Sequence, residues 1–234
     1  MSVKQNTQVP LRAVISFIVI SLIFAFLPLL IAGRWDWWQG WAYGIVMLLN
    51  AVLSRLLMAR RHPDLLAERG KAMQHADAKP WDRKLAPLVG FIGPFAILIV
   101  CGLEARFSGS AVFPLWANLL ALLAMVLGII FSSWALVENR FFSGMVRIQS
   151  ERGHHVVDSG PYRVVRHPGY AGAMVVFLAT PFLLNSLWGL LPAALTFAAI
   201  VLRTALEDQT LQAELPGYAE YARRTKYRLL PWVW

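Results

Sequence analysis

The stretch Tyr170–Leu202, YAGAMVVFLATPFLLNSLWGLLPAALTFAAIVL, decides the architecture of this chain. It runs for 33 residues without a charged side chain. One straight helix of that length would rise about 50 Å at 1.5 Å per residue, well beyond the ~30 Å hydrocarbon core of a bilayer. Near its centre lies Asn185-Ser186-Leu187-Trp188-Gly189, a cluster of turn formers with one interfacial indole. The stretch therefore reads as two short antiparallel helices, a hairpin crossing the membrane twice.

Four further apolar runs precede it: Leu11–Ala32, Trp37–Met58, Ala86–Leu103 and Leu115–Leu136. Each is close to the ~20 residues that a spanning helix needs. The first of them reads as a membrane helix rather than a cleavable leader, because it is long enough to span and no small-x-small site follows. The fold expected is all-α: a polytopic bundle of about six spans in one membrane domain over residues 1–234. Residues 1–136 supply four spans; residues 137–234 supply the hairpin and a tail.

Composition agrees. Of 234 residues, 58% are hydrophobic and 15% charged, and the mean hydropathy is +0.54; soluble domains carry about 25% charged residues. The net charge of +9 sits between the spans. Lys4 and Arg12 precede the first, seven basic residues from Arg60 to Lys84 follow the second, Arg140 to Arg166 follow the fourth, and Arg203 to Arg228 lie in or after the last. The opposite turns hold only Arg34, and Arg106 beside Glu104. This asymmetry fits an even number of spans with both termini cytoplasmic, in a cell membrane. No nucleic-acid-binding motif accompanies the charge. Trp35, Trp37, Trp38, Trp41 and Trp188 mark the outer turns. Arg55, late in the second span, is expected to snorkel to the surface, and Asn50 to serve as helix-packing glue. Cys101 is a lone buried thiol, and no metal-ligand spacing is present.

Two polar clusters interrupt the apolar pattern. The first is Gly160-Pro161-Tyr162-Arg163-Val164-Val165-Arg166-His167-Pro168-Gly169-Tyr170-Ala171-Gly172. Pro168 suits the first position of a helix. The free N–H groups that follow, beside Arg166, make a seat for an anion such as a carboxylate; Gly169 and Gly172 permit close backbone approach. The second cluster is Arg203, Glu207 and Asp208. Arg203 and Glu207 are four apart, so they form either a structural ion pair or a site in which Glu207 meets a ligand's ammonium group. The arms His167–Trp188 and Trp188–Glu207 differ by only about 3 Å in length, so the hairpin brings the two clusters to one depth. A ligand carrying both an ammonium and a carboxylate would fit between them.

These residues resemble the signature of the integral membrane methyltransferases that include isoprenylcysteine carboxyl methyltransferases and phospholipid N-methyltransferases. The likeness runs from Asn139-Arg140-Phe141-Phe142-Ser143 through the Gly160–Gly172 stretch and Arg203, Glu207 and Asp208. It ends at Gly217-Tyr218-x-x-Tyr221 and Tyr227-Arg228-Leu229-Leu230-Pro231, with weaker echoes in Pro63–Arg69 and Lys79-Pro80-Trp81-Asp82. It implies S-adenosylmethionine as cofactor and a lipophilic acceptor reaching the site from the bilayer. It assigns Tyr162, Arg166, His167, Pro168, Gly169, Tyr170, Gly172, Glu207 and Asp208 to cofactor binding. Aspartate at 208 departs from the family's frequent Glu-Glu. Arg203 or Arg228 would orient a carboxylate acceptor; Glu207 or Asp208 would take a proton from an amine. Membrane sterol reductases share a related fold but use a nicotinamide cofactor, so the alternatives are a reductase of lipid double bonds or a non-catalytic lipid-binding protein.

Overall fold

The computed structural model describes residues 11–71, 74–108 and 112–234. Lys4, part of the charge reading above, lies outside them. The described residues form helices and connecting turns, without strands. In order these are α1 (Leu11–Ala32), α2 (Trp38–Arg61), α3 (Pro63–Gly70), α4 (Asp82–Pro87), α5 (Gly93–Phe107), α6 (Leu115–Glu138), α7 (Pro168–Leu183), α8 (Leu190–Glu214) and α9 (Tyr218–Arg224). Between α4 and α5 the helix continues through one wide turn, Leu88–Ile92, where the Gly93 N–H bonds to the Leu88 carbonyl five residues back. Pro94 lacks the N–H for an ordinary helical bond, and a widened turn ahead of it relieves that break.

Five helices are long and apolar enough to cross a membrane: α1, α2, the α4–α5 unit Asp82–Phe107, α6 and α8. The sixth expected crossing, α7, is an apolar helix of 16 residues. The hairpin exists, but its arms are unequal. The second does not stop at Leu202; α8 runs 25 residues to Glu214. Arg203, Glu207 and Asp208 thus lie within a helix. Periodicity does not end where lipid ends, because these side chains find polar partners inside the bundle.

The hairpin turn is held by side chains. Asn185 takes the left-handed conformation, φ 58°, and its Oδ1 accepts from the Phe113 N–H at 2.7 Å. Glu104, at the end of α5, accepts from the Ser186 hydroxyl at 2.6 Å and the Trp188 N–H at 3.0 Å. Each contact satisfies a turn group that lipid could not. Along the bundle, α6 and α7 meet at Gly128 and Gly172. A Cβ on Gly172 would lie 2.3 Å from Ser132 Oγ and 2.5 Å from the Gly128 carbonyl oxygen. Small residues let the two backbones touch.

Three expectations differ from the structure. Trp37 is buried against the α1–α5 core, while Trp35 and Trp188 stay exposed. Arg55 lies over the Phe17 ring, 4.1 Å from its centroid, and lines the main cavity. Asn50 lines that cavity too and makes no hydrogen bond to a described residue.

Candidate active site

The inner ends of α7 and α8 enclose a cavity of about 610 Å³, within the roughly 300–1,000 Å³ that ligand pockets span. Asp208 organises its floor. This carboxylate is fully buried and accepts six hydrogen bonds: two from Arg166 (2.7 and 2.8 Å), and one each from His167 Nε2, Tyr218, Gln212 and Arg228. A carboxylate only accepts, so Nε2 of His167 carries the proton and Nδ1 makes no hydrogen bond to a described residue. Two arginines around one acid leave the cluster net positive beside the start of α7.

The tail closes the cluster. Arg166 Nη1 donates to the carbonyls of Thr225 (2.7 Å) and Lys226 (2.8 Å). The N–H groups of Arg166 and His167 donate to the carbonyls of Tyr227 and Arg228, both at 2.9 Å. Burial works against the charge on Arg166, and the hydrogen bonds it donates to Asp208 more than offset it, holding the guanidinium charged. Burial, then the Asp208 charge, pushes the Tyr218 hydroxyl well above the ordinary phenol range, so it stays a donor.

Glu207, next to Asp208, has another role. Tyr170 donates to its Oε2 at 2.6 Å, and its other oxygen makes no hydrogen bond to a described residue. Glu207 lines the cavity. So do Gly169 and Tyr170, whose N–H groups in the first turn of α7 have no acceptor among the described residues. An available carboxylate therefore faces the same space as an available pair of helix N-terminal donors. Tyr162, buried and lining the cavity, is held by Asn139 Nδ2 at 3.1 Å and carries the Tyr221 hydroxyl on its carbonyl at 2.7 Å.

The i, i+4 pair anticipated between Arg203 and Glu207 is not formed. Arg203 turns to Asp82, donating at 2.6 and 2.9 Å, and to the Gly144 carbonyl at 2.9 Å. It stacks over the Tyr170 ring, 5.3 Å from the centroid. The partner lies 121 residues away, beyond the reach of local spacing. Of the remaining candidates, Pro168 starts α7 as expected but does not line the cavity. Gly172 packs against α6, and Arg228 and Asp208 sit behind the lining. Arg166 lines the cavity with its guanidinium committed to Asp208 and the tail, so it positions the seat rather than offering free donors. Among residues to which the resemblance assigned no role, Arg69, Phe142 and Gln149 line the cavity. Arg69 donates to the Phe142 carbonyl at 3.1 Å, and Gln149 donates to the Phe141 carbonyl at 2.8 Å. Among the described residues no group of three or more His, Cys, Asp or Glu could hold a metal ion.

Residues 116–215, spanning α6 to α8, match the family model described as phospholipid methyltransferase. Over these residues the chain is similar to the membrane methyltransferase superfamily. Three curated relatives each match part of the chain. Protein-S-isoprenylcysteine O-methyltransferase B of Arabidopsis thaliana is 29% identical over 117 residues, covering 47% of this chain and 57% of its own. The cobalt-zinc-cadmium resistance protein CzcN of Cupriavidus metallidurans is 34% identical over 125 residues, 52% of each chain. A Delta(14)-sterol reductase of Mus musculus is 33% identical over 96 residues, 39% of this chain and 23% of the reductase. The chain thus spans about half the length of the first two relatives. The superfamily match contains His167, Tyr170, Glu207 and Asp208; Arg55, Arg69, Asp82 and the tail lie outside it.

Proposed function

We propose that this protein transfers a methyl group from S-adenosylmethionine to a lipophilic acceptor. One observation carries the reading: the same cavity is lined by Glu207, which keeps one oxygen unbonded among the described residues, and by Gly169 and Tyr170, whose N–H groups are likewise unbonded. They suit the ammonium and carboxylate of an amino-acid moiety. The carboxylate acceptor, the N–H donors and the cavity volume fit that cofactor. When bound, its sulfonium supplies an activated methyl carbon, which passes to an acceptor lone pair as the S–CH3 bond breaks and its electron pair stays on sulfur.

The protein therefore needs no nucleophile of its own. Its residues bind, orient and exclude water. Tyr170 fixes the rotamer of Glu207. Asp208, through Arg166 and His167, fixes the segment that leads into α7. Arg203, locked by Asp82, forms a cationic wall beside Tyr170. The asymmetry of basic residues supports a site on the cytoplasmic face, with both termini on that side.

The test is calorimetric titration of the purified protein with S-adenosylmethionine. Binding is expected, and Glu207→Gln should weaken it about tenfold or more, since hydrogen bonds to charged groups contribute about 1.5–3 kcal/mol. Undiminished binding in Glu207→Gln and His167→Ala would overturn the assignment. The likeness to a sterol reductase supports a second reading, a nicotinamide-dependent reductase; displacement of bound cofactor by reduced nicotinamide nucleotide would favour it.

A further inference from the structure

Five arginines but one carboxylate, Glu207, line the main cavity. Three of the five are neutralised in place. Arg147 pairs with Glu68, Asp77 and Glu151; Arg166 pairs with Asp208; Arg203 pairs with Asp82. Arg55 and Arg69 have no carboxylate within ion-pair distance among the described residues. Arg55 rests on Phe17. Arg69 donates only to the Phe142 carbonyl, and its guanidinium lies 5.6 Å from that ring's centroid. Burial, then the Arg55 and Arg203 charges, brings Arg69 down to about 10. A partly buried cation held beside two like charges is an unfavourable arrangement unless an anion completes it.

Local structure fixes Arg69 there. His62 ends α2 and donates from Nε2 to the Val137 carbonyl at 2.8 Å, and Leu65 is buried with Met58 and Leu136. These contacts tie α3 to the end of α6 and direct its last turn toward Phe142. Arg55 and Arg69 both lie outside the superfamily match.

A second cavity, about 220 Å³, adjoins the first. Gly90 and Phe177 line both. Its other walls are Phe24, Tyr43, Met47, Pro94, Ile97, Leu98 and Thr180, so it is almost wholly apolar. Gly90 sits in the wide turn between α4 and α5, and a Cβ there would meet no heavy atom within 4 Å. The cavity that holds the unpaired cations and the apolar cavity therefore adjoin at Gly90 and Phe177.

Resting on the methyl-transfer reading, we infer that the acceptor is an anionic amphiphile: its carboxylate or phosphate head group is held by Arg69 and Arg55, and its chain lies in the apolar cavity beyond Gly90 and Phe177. An amine-headed acceptor would meet two unpaired guanidinium groups and is selected against.

The experiment measures binding of hexadecanoate, hexadecyl phosphate, hexadecanol and hexadecylamine to the full chain in non-ionic detergent, by equilibrium dialysis. One of the two anions should bind about tenfold or more tighter than the alcohol and the amine; which anion is tighter identifies the head group. Arg69→Gln should remove that preference and Arg69→Lys should keep most of it, with S-adenosylmethionine affinity unchanged in both. Gly90→Trp should weaken hexadecanoate about tenfold while leaving octanoate within twofold, because only the longer chain passes the turn. Equal binding of amine and anion, or a Gly90→Trp protein indifferent to chain length, would overturn the inference. If Arg69→Gln fails to fold, the head-group series on the natural chain and Arg55→Gln decide it. A natural chain that selects anions but never binds S-adenosylmethionine would defeat the methyl-transfer reading and leave Arg69 and Arg55 as a binding site for an anionic amphiphile that is not a methyl acceptor.

Discussion

Arg203 and Asp82 form a buried bidentate pair, at 2.6 and 2.9 Å, that ties the middle of α8 to the first turn of α4. Asp82 is fully buried and also accepts from the Val146 N–H at 2.7 Å. The pair therefore joins the hairpin, the α4–α5 unit and the segment after α6 at one point.

Removing one partner leaves a charge without compensation. Asp82→Asn should cost about 3–5 kcal/mol of stability, whereas Asp82→Asn combined with Arg203→Met should cost less than the sum of the two single changes. Thermal unfolding of the four proteins in detergent measures the coupling. Additive losses would show that the pair does not act as a unit.

Asp208 has no room to grow. It is fully buried with both oxygens saturated, so Asp208→Glu adds a methylene to a packed site. The expected loss is about 1–3 kcal/mol. S-adenosylmethionine affinity should fall as well, because Arg166 and His167 shift with their partner. A glutamate variant as stable as the natural chain would mean that the site is looser than its contacts indicate.

His154 supplies a pH dependence. Burial, then the neighbouring His155, Arg152 and Arg147 charges, brings its imidazole down to about 4. The geometry agrees: Nδ1 accepts from the Gln149 N–H at 3.3 Å and must be unprotonated to do so. The unfolded chain binds this proton near pH 6.5 and the folded chain only near 4, so the contribution is present above about 6.5 and is lost as pH falls toward 4. The melting temperature should drop between pH 7 and pH 4.5. His154→Asn, which keeps an acceptor but does not titrate, should show a smaller drop.

Gly172 marks a tight helix contact. Gly172→Ala places a methyl against Ser132 and the Gly128 carbonyl, and should cost about 1–3 kcal/mol. Ser132→Ala, by removing the nearest atom, should recover part of that loss. No recovery would place the strain at the Gly128 backbone instead.

The hairpin was legible because its cues are local. A run too long for one span, broken by Asn185-Ser186 and Gly189, has few other solutions in lipid. The meeting of the two polar clusters followed from arm length, and Tyr170 bonded to Glu207 at 2.6 Å is that meeting in atoms. The helix end was not legible. Hydropathy falls after Leu202, yet α8 continues to Glu214, since helical bonding is indifferent to whether a side chain meets lipid or an interior carboxylate.

Sequence alone determined the membrane class, the helical content, the hairpin and the two stretches that carry polar chemistry, because hydrophobic length and turn chemistry act over tens of residues. Only the tertiary structure decided the division of labour between adjacent acids. Glu207 keeps one oxygen unbonded while Asp208 is consumed by Arg166, His167, Tyr218, Gln212 and Arg228. It also decided that Arg203 answers to Asp82 while Arg55 and Arg69 answer to no acid among the described residues. Charge pairing depends on which helices touch, and that depends on packing between segments more than a hundred residues apart.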